Sequence, residues 1–301
     1  MGHFSTCGHK GASLFIVRPE GKGVAAGPCT CFGGSTKGAA QLEVRLTIED
    51  LEDALARGRI EARYQPIVNM ADRRPTGFEV LARLDHPVHG LVEADIFVPA
   101  MEAAGLGRRL SEAVVSRAVQ DWQAFDLGAL GMTIAVNLPL DVLMMPDTPD
   151  WLEAALHGST LGARQLVIEL TESQELGCMP TLASAVERYR ALGYRLAIDD
   201  VGPEIRDHRP LLDLPFSMMK LDRGLVLGVG DAAAREEFLD FALTAAHEAG
   251  LLVVAEGIED ASSWGRMAAA GIDQAQGFHI GYPMRASEIA DWHADWIARG
   301  R

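Results

Sequence analysis

The chain has 301 residues, of which 48% are hydrophobic and 23% charged, so it is neither disordered nor fibrous and can bury a large core. Its formal net charge of −15 repels duplex nucleic acid and anionic membrane surfaces. No apolar run approaches the roughly 18 residues that a membrane-spanning helix needs. We therefore expect neither duplex nucleic acid nor a membrane as a partner.

Residues 1–41 are rich in Gly, Ser and Thr and predict a flexible leader ahead of a folded domain at residues 42–301. Three cysteines, Cys7, Cys29 and Cys31, lie in this leader, and Cys178 stands alone, which is not a disulfide framework. The N-terminus also lacks the basic and apolar segments of a secretory signal. These features predict a cytoplasmic protein.

From residue 42 onward, short apolar runs alternate with helical patterns. Runs this short and continuous are typical of strands that are buried on both faces. The eight predicted strands are residues 62–68, 77–81, 132–137, 166–170, 195–199, 217–221, 252–255 and 277–280.

Helical patterns occupy much of the chain between and after these strands. The clearest begin near Leu110, Pro180, Phe238 and Ala286. Eight strands separated mainly by helices predict a (β/α)8 barrel of the TIM type, formed as one domain. Only a tight loop fits between the first two strands, so we expect them to form an antiparallel hairpin, which modifies the standard barrel.

Polar side chains stand at the C-terminal ends of the predicted strands, where such barrels place their reactive groups. They are Glu79, Asn137, Glu169, Asp199, Asp200, Lys220, Asp222, Glu256 and Gln276, with Arg83 four residues after Glu79. Any one carboxylate here is explained by solvation or by a helix N-cap. Five that converge on one barrel mouth would repel one another strongly without a cation.

The types of these residues indicate which cation and which chemistry to expect. The set is rich in oxygen and contains no thiol and almost no imidazole, which suits Mg²⁺ or Mn²⁺ better than zinc. Lys220 and Arg83 add positive charge for an anionic substrate. The pattern predicts a two-metal phosphohydrolase and does not identify its substrate.

An ordered series of motifs extends this interpretation. It comprises Tyr64-Gln65-Pro66-Ile67-Val68, Glu79-Val80-Leu81-Ala82-Arg83, Ala135-Val136-Asn137-Leu138, Ile168-Glu169-Leu170-Thr171-Glu172-Ser173, Ile198-Asp199-Asp200, Lys220-Leu221-Asp222, Ala255-Glu256-Gly257-Ile258-Glu259 and Gln276-Gly277-Phe278. From about Leu42 to Trp296 the sequence resembles the EAL-domain family of cyclic-di-GMP phosphodiesterases, with Val80 in place of the family's Ala. The resemblance implies that the chain opens the cyclic dinucleotide to linear pGpG.

The resemblance also implies a role for each site residue. The implied metal ligands are Glu79, Asn137, Glu169 and Asp199 for one ion, and Asp199, Asp200 and Glu256 for the other, with Asp199 bridging. Lys220 would orient or help activate the attacking water, and Glu256 is a candidate general base. Arg83 would contact a phosphate, whereas Gln65, Asp222 and Gln276 would make substrate or supporting contacts. Glu172 would brace the loop after the fifth strand.

One segment departs from the family pattern. After Asp199-Asp200 the family usually continues with Phe, Gly and small hydroxyl residues, but residues 201–207 of this chain read Val-Gly-Pro-Glu-Ile-Arg-Asp. In the family this loop couples metal binding to dimer contacts. A harmlessly altered loop leaves an active phosphodiesterase; a loop that no longer sets the second metal leaves a weak enzyme or a cyclic-di-GMP receptor acting through a protein partner.

The substrate and the partners are open to more than one interpretation. A barrel enzyme that acts on another phosphoester would use the same residue types. A homodimer is expected from the resemblance, although the altered loop weakens that expectation, and a separate protein regulator is a further candidate partner.

Overall fold

The computed structural model describes residues 16–17, 44–170, 179–202, 209–229 and 231–299. Almost all of the predicted leader, Cys178, Glu172 and residues 203–207 of the divergent loop lie outside these described residues.

The strands and helices follow the alternation that the sequence predicts. The strands are β1 (Ile16–Val17), β2 (Leu46–Thr47), β3 (Ile60–Asn69), β4 (Pro75–His86), β5 (Gly90–Glu93), β6 (Thr133–Leu138), β7 (Leu166–Leu170), β8 (Arg195–Val201), β9 (Met218–Leu221), β10 (Leu252–Ala255) and β11 (Gln274–Gln276). The α-helices are α1 (Ile48–Ala56), α2 (Ala94–Ala103), α3 (Gly107–Ala124), α4 (Leu140–Leu143), α5 (Thr148–Leu156), α6 (Met179–Ala191), α7 (Arg209–Leu212), α8 (Arg223–Leu227), α9 (Ala232–Glu248), α10 (Ala261–Ala270) and α11 (Ile289–Arg299). Short 3₁₀ helices occur at Leu127–Leu130, Ala163–Gln165 and Ala286–Glu288.

The chain divides into two compact units. One is drawn from Met1–Glu61 and Arg83–Leu110, and the other from Ala62–Ala82 and Ser111–Arg301. In the first unit, β1 pairs in parallel with β2, and β5 pairs with the end of β4 in an antiparallel ladder. The Thr47 and Asp50 side chains form a capping box that starts α1.

The second unit is a closed eight-stranded barrel. Its strands lie in the order β3-β11-β10-β9-β8-β7-β6-β4, and the pairing of β4 with β3 closes the barrel. All neighbouring pairs from β4 round to β11 are parallel, whereas β3 is antiparallel to β11. This confirms the predicted modified TIM barrel with an antiparallel first strand.

Small and branched apolar side chains fill the barrel interior, as expected of this architecture. A buried cluster consists of Ile67, Ala135, Val167, Ala197, Met218 and Val254. Because side chains alternate along a strand, residues two positions further along β6, β7, β8 and β10 again face the interior, nearer the C-terminal ends. Asn137, Glu169, Asp199 and Glu256 occupy those positions.

The predicted helices are present around this barrel. Helix α3 buries Leu110, Ala118 and Trp122, and α6 ends shortly before Gly193, which adopts a φ of +93°. Helices α9 and α11 lie where periodicity predicted them. Within the described ranges, we find no helix that is both long enough and apolar enough to cross a membrane.

The eighth strand is the one element that the sequence misplaced. The apolar run at residues 277–280 predicted it there, but β11 is Gln274–Gln276 and the chain turns immediately afterwards. The backbone N–H groups of Ile280 and Gly281 both donate to the Gly277 carbonyl at 3.0 Å. Gly277 has a φ of +153°, and a Cβ there would lie 2.3 Å from backbone atoms of Ile258. Glycine therefore permits both the turn and the close approach.

We expect Gly277→Ala to lower the free energy of unfolding by about 1–3 kcal/mol, because it strains the backbone and displaces Ile258. Gly265→Ala is the matched control, since Gly265 lies in α10 with nothing near its missing Cβ. That change should raise stability by up to about 1 kcal/mol. Urea unfolding of both variants tests the difference; equal stabilities would contradict the packing described here.

Candidate metal centre

Strand pairing brings the predicted acidic residues to one end of the barrel. Glu79 on β4 lies opposite Ala135 on β6, and Asn137, two residues later on β6, lies opposite Glu169 on β7. Asp199 is two residues beyond Ala197, which lies opposite Glu169. Neighbouring strands thus present these side chains to one shared volume.

Lys220 on β9 lies at the centre of this volume. Its side chain is 1% exposed, and its Nζ atom contacts four carboxylates. The distances are 2.6 Å to Glu256 Oε1, 3.0 Å to Asp199 Oδ1, 3.1 Å to Glu169 Oε2 and 3.4 Å to Glu79 Oε2. An ammonium group has three N–H donors, so four acceptors share three hydrogens.

A second set of contacts orients Glu79. Asn137 Nδ2 donates to Glu79 Oε1 at 2.9 Å, and Gln276 Nε2 donates to Glu79 Oε2 at 2.6 Å. Gln276 Nε2 also lies 3.1 Å from Gln65 Oε1. The two glutamines that the sequence assigned to substrate or supporting contacts therefore lie beside the carboxylate cluster.

Burial and crowding shift the pKa values of these groups. Although burial favours the neutral amine, the surrounding carboxylates raise the pKa of Lys220 well above its ordinary value, so it remains an ammonium. Burial also opposes ionisation of Glu79, but Lys220 and two amide N–H donors lower the pKa of Glu79. Burial, reinforced by neighbouring carboxylates, raises the pKa of Glu169, Glu256 and Asp199. Added positive charge would stabilise these acids as anions.

Asp200 lies at the exposed edge of the cluster in a left-handed backbone conformation, with a φ of +55°. Its backbone N–H donates to Asp199 Oδ1 at 3.0 Å. Partial desolvation and the adjacent Asp199 carboxylate raise the pKa of Asp200 to about 6. The pairing register of β8 with β9 shifts between Ile198 and Val201, which is where this conformation occurs.

Two groups of carboxylates in the cluster are arranged so that each could hold a metal ion. Glu79, Glu169 and Asp199 offer oxygens that all lie within 4.8 Å of one another, and so do Asp199, Asp200 and Glu256. Asp199 belongs to both groups. Both groups contain only oxygen donors. One ammonium group faces five acidic groups, so the cluster keeps an excess of negative charge, which favours a hard cation such as Mg²⁺ or Mn²⁺.

Asp222 and Arg83, two further residues that the resemblance assigned to the site, each have a partner in the structure. Asp222 is the N-cap of α8, where its Oδ1 accepts hydrogen bonds from the backbone of Gly224 at 2.7 Å and Leu225 at 3.3 Å. Arg83 lies in the first compact unit, and its Nη2 contacts Glu93 Oε2 at 2.7 Å.

Sequence reasoning did not single out the ion pair between Arg223 and Glu259. Arg223 and Glu259 each lie within four residues of a strand end, of β9 and β10 respectively, and this placement was the signal for them in the sequence. Gly257 is needed here, because it has a φ of +71° and its missing Cβ would lie 2.2 Å from Arg223 Cγ. The pair links the segment after β9 to the segment after β10, which carries Glu256.

We expect Lys220→Met to lower the free energy of unfolding of the metal-free protein by about 3–5 kcal/mol, because it leaves buried carboxylates without their cation. Saturating Mn²⁺ should stabilise this variant more than the parent, since the ion replaces the missing positive charge. Thermal unfolding with and without Mn²⁺ measures both effects.

Arg57→Met is the matched control for Lys220→Met, because it removes an exposed cation that pairs with Asp53. It should change neither the stability nor the response to Mn²⁺. Equal stabilisation of both variants by Mn²⁺ would contradict a cation site around Lys220.

In the metal-free protein, the contribution of Asp200 to stability should fall as the pH rises from about 4 to about 6. Folding raises the pKa of Asp200 from 3.8 to about 6. The stabilisation that protonated Asp200 contributes is therefore complete below pH 3.8 and is lost as the pH rises past 6. Asp200→Asn should flatten this part of the curve, whereas Asp240→Asn, a change on exposed α9, should not. Urea midpoints across this range provide the test; a parallel Asp200→Asn curve would refute the shift.

The chain is similar to known proteins over most of its length. Residues 48–283 match the model of the EAL domain. The chain is 29% identical over 260 residues to MucR of Pseudomonas aeruginosa, a bifunctional diguanylate cyclase/cyclic di-GMP phosphodiesterase, covering 86% of this chain and 38% of MucR. It is 30% identical over 258 residues to the cyclic di-GMP phosphodiesterase NbdA of the same species, covering 84% of this chain and 33% of NbdA.

A solved structure has the same architecture. The PaMucR phosphodiesterase in its c-di-GMP complex superimposes with a TM-score of 0.74 at 29% identity, covering 80% of this chain and 98% of that chain. The present chain spans less than half the length of the two curated relatives. From the matched family model, the shared barrel and the acidic strand ends, we conclude that the chain belongs to the EAL domain family.

Proposed function

We propose that this protein hydrolyses cyclic-di-GMP to linear pGpG with the help of two Mg²⁺ or Mn²⁺ ions. The observation that carries the proposal is the pair of carboxylate groups that share Asp199 around the buried Lys220. The names of MucR and NbdA, both cyclic di-GMP phosphodiesterases, support the choice of substrate.

In this proposal each metal ion is held by a different set of residues. Glu79, Glu169 and Asp199 would hold one ion with Asn137, and Asp199, Asp200 and Glu256 would hold the other. Bound divalent cations supply polarisation of a phosphoryl oxygen and a water of lowered pKa. Asn137 uses Nδ2 to bind Glu79, which leaves its Oδ1 as a ligand atom.

Lys220 acts in this proposal as a donor and not as a base. Its raised pKa keeps it protonated, so it orients a water or phosphate oxygen by donating a hydrogen bond. Glu256, the carboxylate nearest to Lys220 Nζ at 2.6 Å, is the proposed general base. Burial raises the pKa of Glu256, which brings its basicity closer to that needed at neutral pH.

The other assignments remain proposals from the family resemblance. Arg83 would contact a phosphate, whereas Gln65, Gln276 and Asp222 would bind substrate or support the residues that do. Glu172 would brace its loop, although it lies outside the described residues. A cytoplasmic location, a homodimer and a separate protein regulator complete the proposal; light scattering on the purified protein tests the dimer.

Chromatography of the products formed from cyclic-di-GMP, with and without Mg²⁺ or Mn²⁺, tests the proposed activity. We expect linear pGpG to form only when metal is present. Tight binding of cyclic-di-GMP without product would instead identify a receptor, which is the second function that residues 201–207 suggest. The absence of both binding and product would contradict the choice of substrate.

Glu79→Gln should lower the rate of cyclic-di-GMP hydrolysis at least about 100-fold while the protein stays folded. The loss of a supporting contact to a metal ligand already costs about 10–100-fold, and this change removes a ligand. Glu248→Gln, on the exposed end of α9, is the matched control and should leave the rate unchanged. Circular dichroism checks the fold of both variants; an unchanged rate for Glu79→Gln would refute the assignment.

A further inference from the structure

Two large aromatic rings lie exposed just after the last barrel strand. Phe278 and Tyr282 stack on each other with ring centroids 4.5 Å apart and planes inclined by 26°. Their exposed fractions are 43% and 67%. We call this pair the aromatic platform. Since each ring covers one face of the other, the exposed area belongs to the outer faces and edges of the stack, where a third flat group can make contact.

The backbone beneath the aromatic platform is firmly anchored. At its start, the Ile258 N–H donates to the Gln276 carbonyl at 3.0 Å, and the His279 N–H donates to the Ile258 carbonyl at 2.9 Å. At its end, Met284 and Tyr64 form a two-way bridge with distances of 2.8 and 3.0 Å. The exposed rings are therefore carried by a fixed segment of the barrel rim.

The platform is also connected to the carboxylate cluster. The carbonyl of Gly281, next to Tyr282, accepts a hydrogen bond from Gln65 Nε2 at 3.4 Å. Gln65 Oε1 in turn accepts from Gln276 Nε2, which donates to Glu79 as well. Gln276 is 3% exposed, and within the described ranges its Oε1 has no hydrogen-bond partner. Gln276 Oε1 is therefore a buried acceptor in the hydrogen-bonded chain that links the platform to the cluster. A buried acceptor of this kind favours a ligand with N–H or O–H donors.

Stacking is the interaction that such a surface offers to a nucleotide. The net charge of −15 does not attract an anionic dinucleotide, so affinity must come from local cations and from uncharged contacts. Aromatic side chains stack on the flat face of any base. We propose that the aromatic platform binds a guanine base of cyclic-di-GMP by stacking, and so sets substrate affinity at the metal centre. This inference rests on the proposed function.

The test compares the steady-state kinetics of variants of the 301-residue chain with cyclic-di-GMP and Mn²⁺. The double variant Phe278→Ala/Tyr282→Ala should raise KM by about 5- to 150-fold, the range expected for the loss of one stacked base. The kcat should change little, because stacking is made in the ground state and the transition state alike. Tyr282→Phe keeps the ring and should retain the parent KM.

Phe125→Ala is the matched control, because Phe125 is also exposed, at 45%, but follows the C-terminal end of α3, at the opposite end of the barrel from the carboxylates. It should leave KM unchanged. Thermal unfolding and Mn²⁺ titration verify that the double variant keeps its fold and its metal affinity.

Three outcomes would overturn the inference. An unchanged KM in the double variant would show that the rings do not contact the base. A KM that rises equally in Tyr282→Phe would assign the effect to the hydroxyl group and not to stacking. A parent dimer that dissociates in the double variant, with KM unchanged, would assign the platform to contacts between copies. If the parent itself neither binds nor hydrolyses cyclic-di-GMP, the proposed function fails instead.

Discussion

A buried ammonium group makes the acidic barrel mouth compatible with a stable fold. Lys220 is 1% exposed and contacts four carboxylates, each of which would be costly to bury as an unpaired anion. One positive charge does not neutralise them all, so burial, reinforced by the remaining repulsion between the carboxylates, raises the pKa values of Glu169, Asp199 and Glu256. The same imbalance that limits stability creates affinity for a divalent cation.

The barrel topology concentrates these groups. Parallel strands place Glu79 of β4 and the ends of β6 to β10 at one mouth, whereas β3 runs in the opposite direction and contributes from its middle. Ile67 lies opposite Gln276, and Gln65 is two residues away on the same side of the strand. The antiparallel strand therefore adds an amide, in place of another strand-end acid, to the cluster at Glu79.

The sequence predicted the barrel and its acidic mouth because both depend on local patterns. Short apolar runs define strands, and Asp199 or Glu256 at the end of a run is visible without coordinates. The eighth strand was misplaced because Phe278 and Ile280 look like strand residues, while the turn depends on the contact of Gly277 with Ile258. The four contacts of Lys220 and the stacking of Phe278 on Tyr282 depend on side-chain directions, which a strand pattern does not specify.

The most direct test of the metal centre is the location of Mn²⁺ in crystals of this protein by anomalous diffraction. We expect two anomalous peaks that share Asp199, one beside Glu79 and Glu169 and the other beside Asp200 and Glu256. A carboxylate cluster occupied by Lys220 alone at saturating Mn²⁺, or peaks that lie only elsewhere, would contradict the proposal that this barrel mouth holds two metal ions.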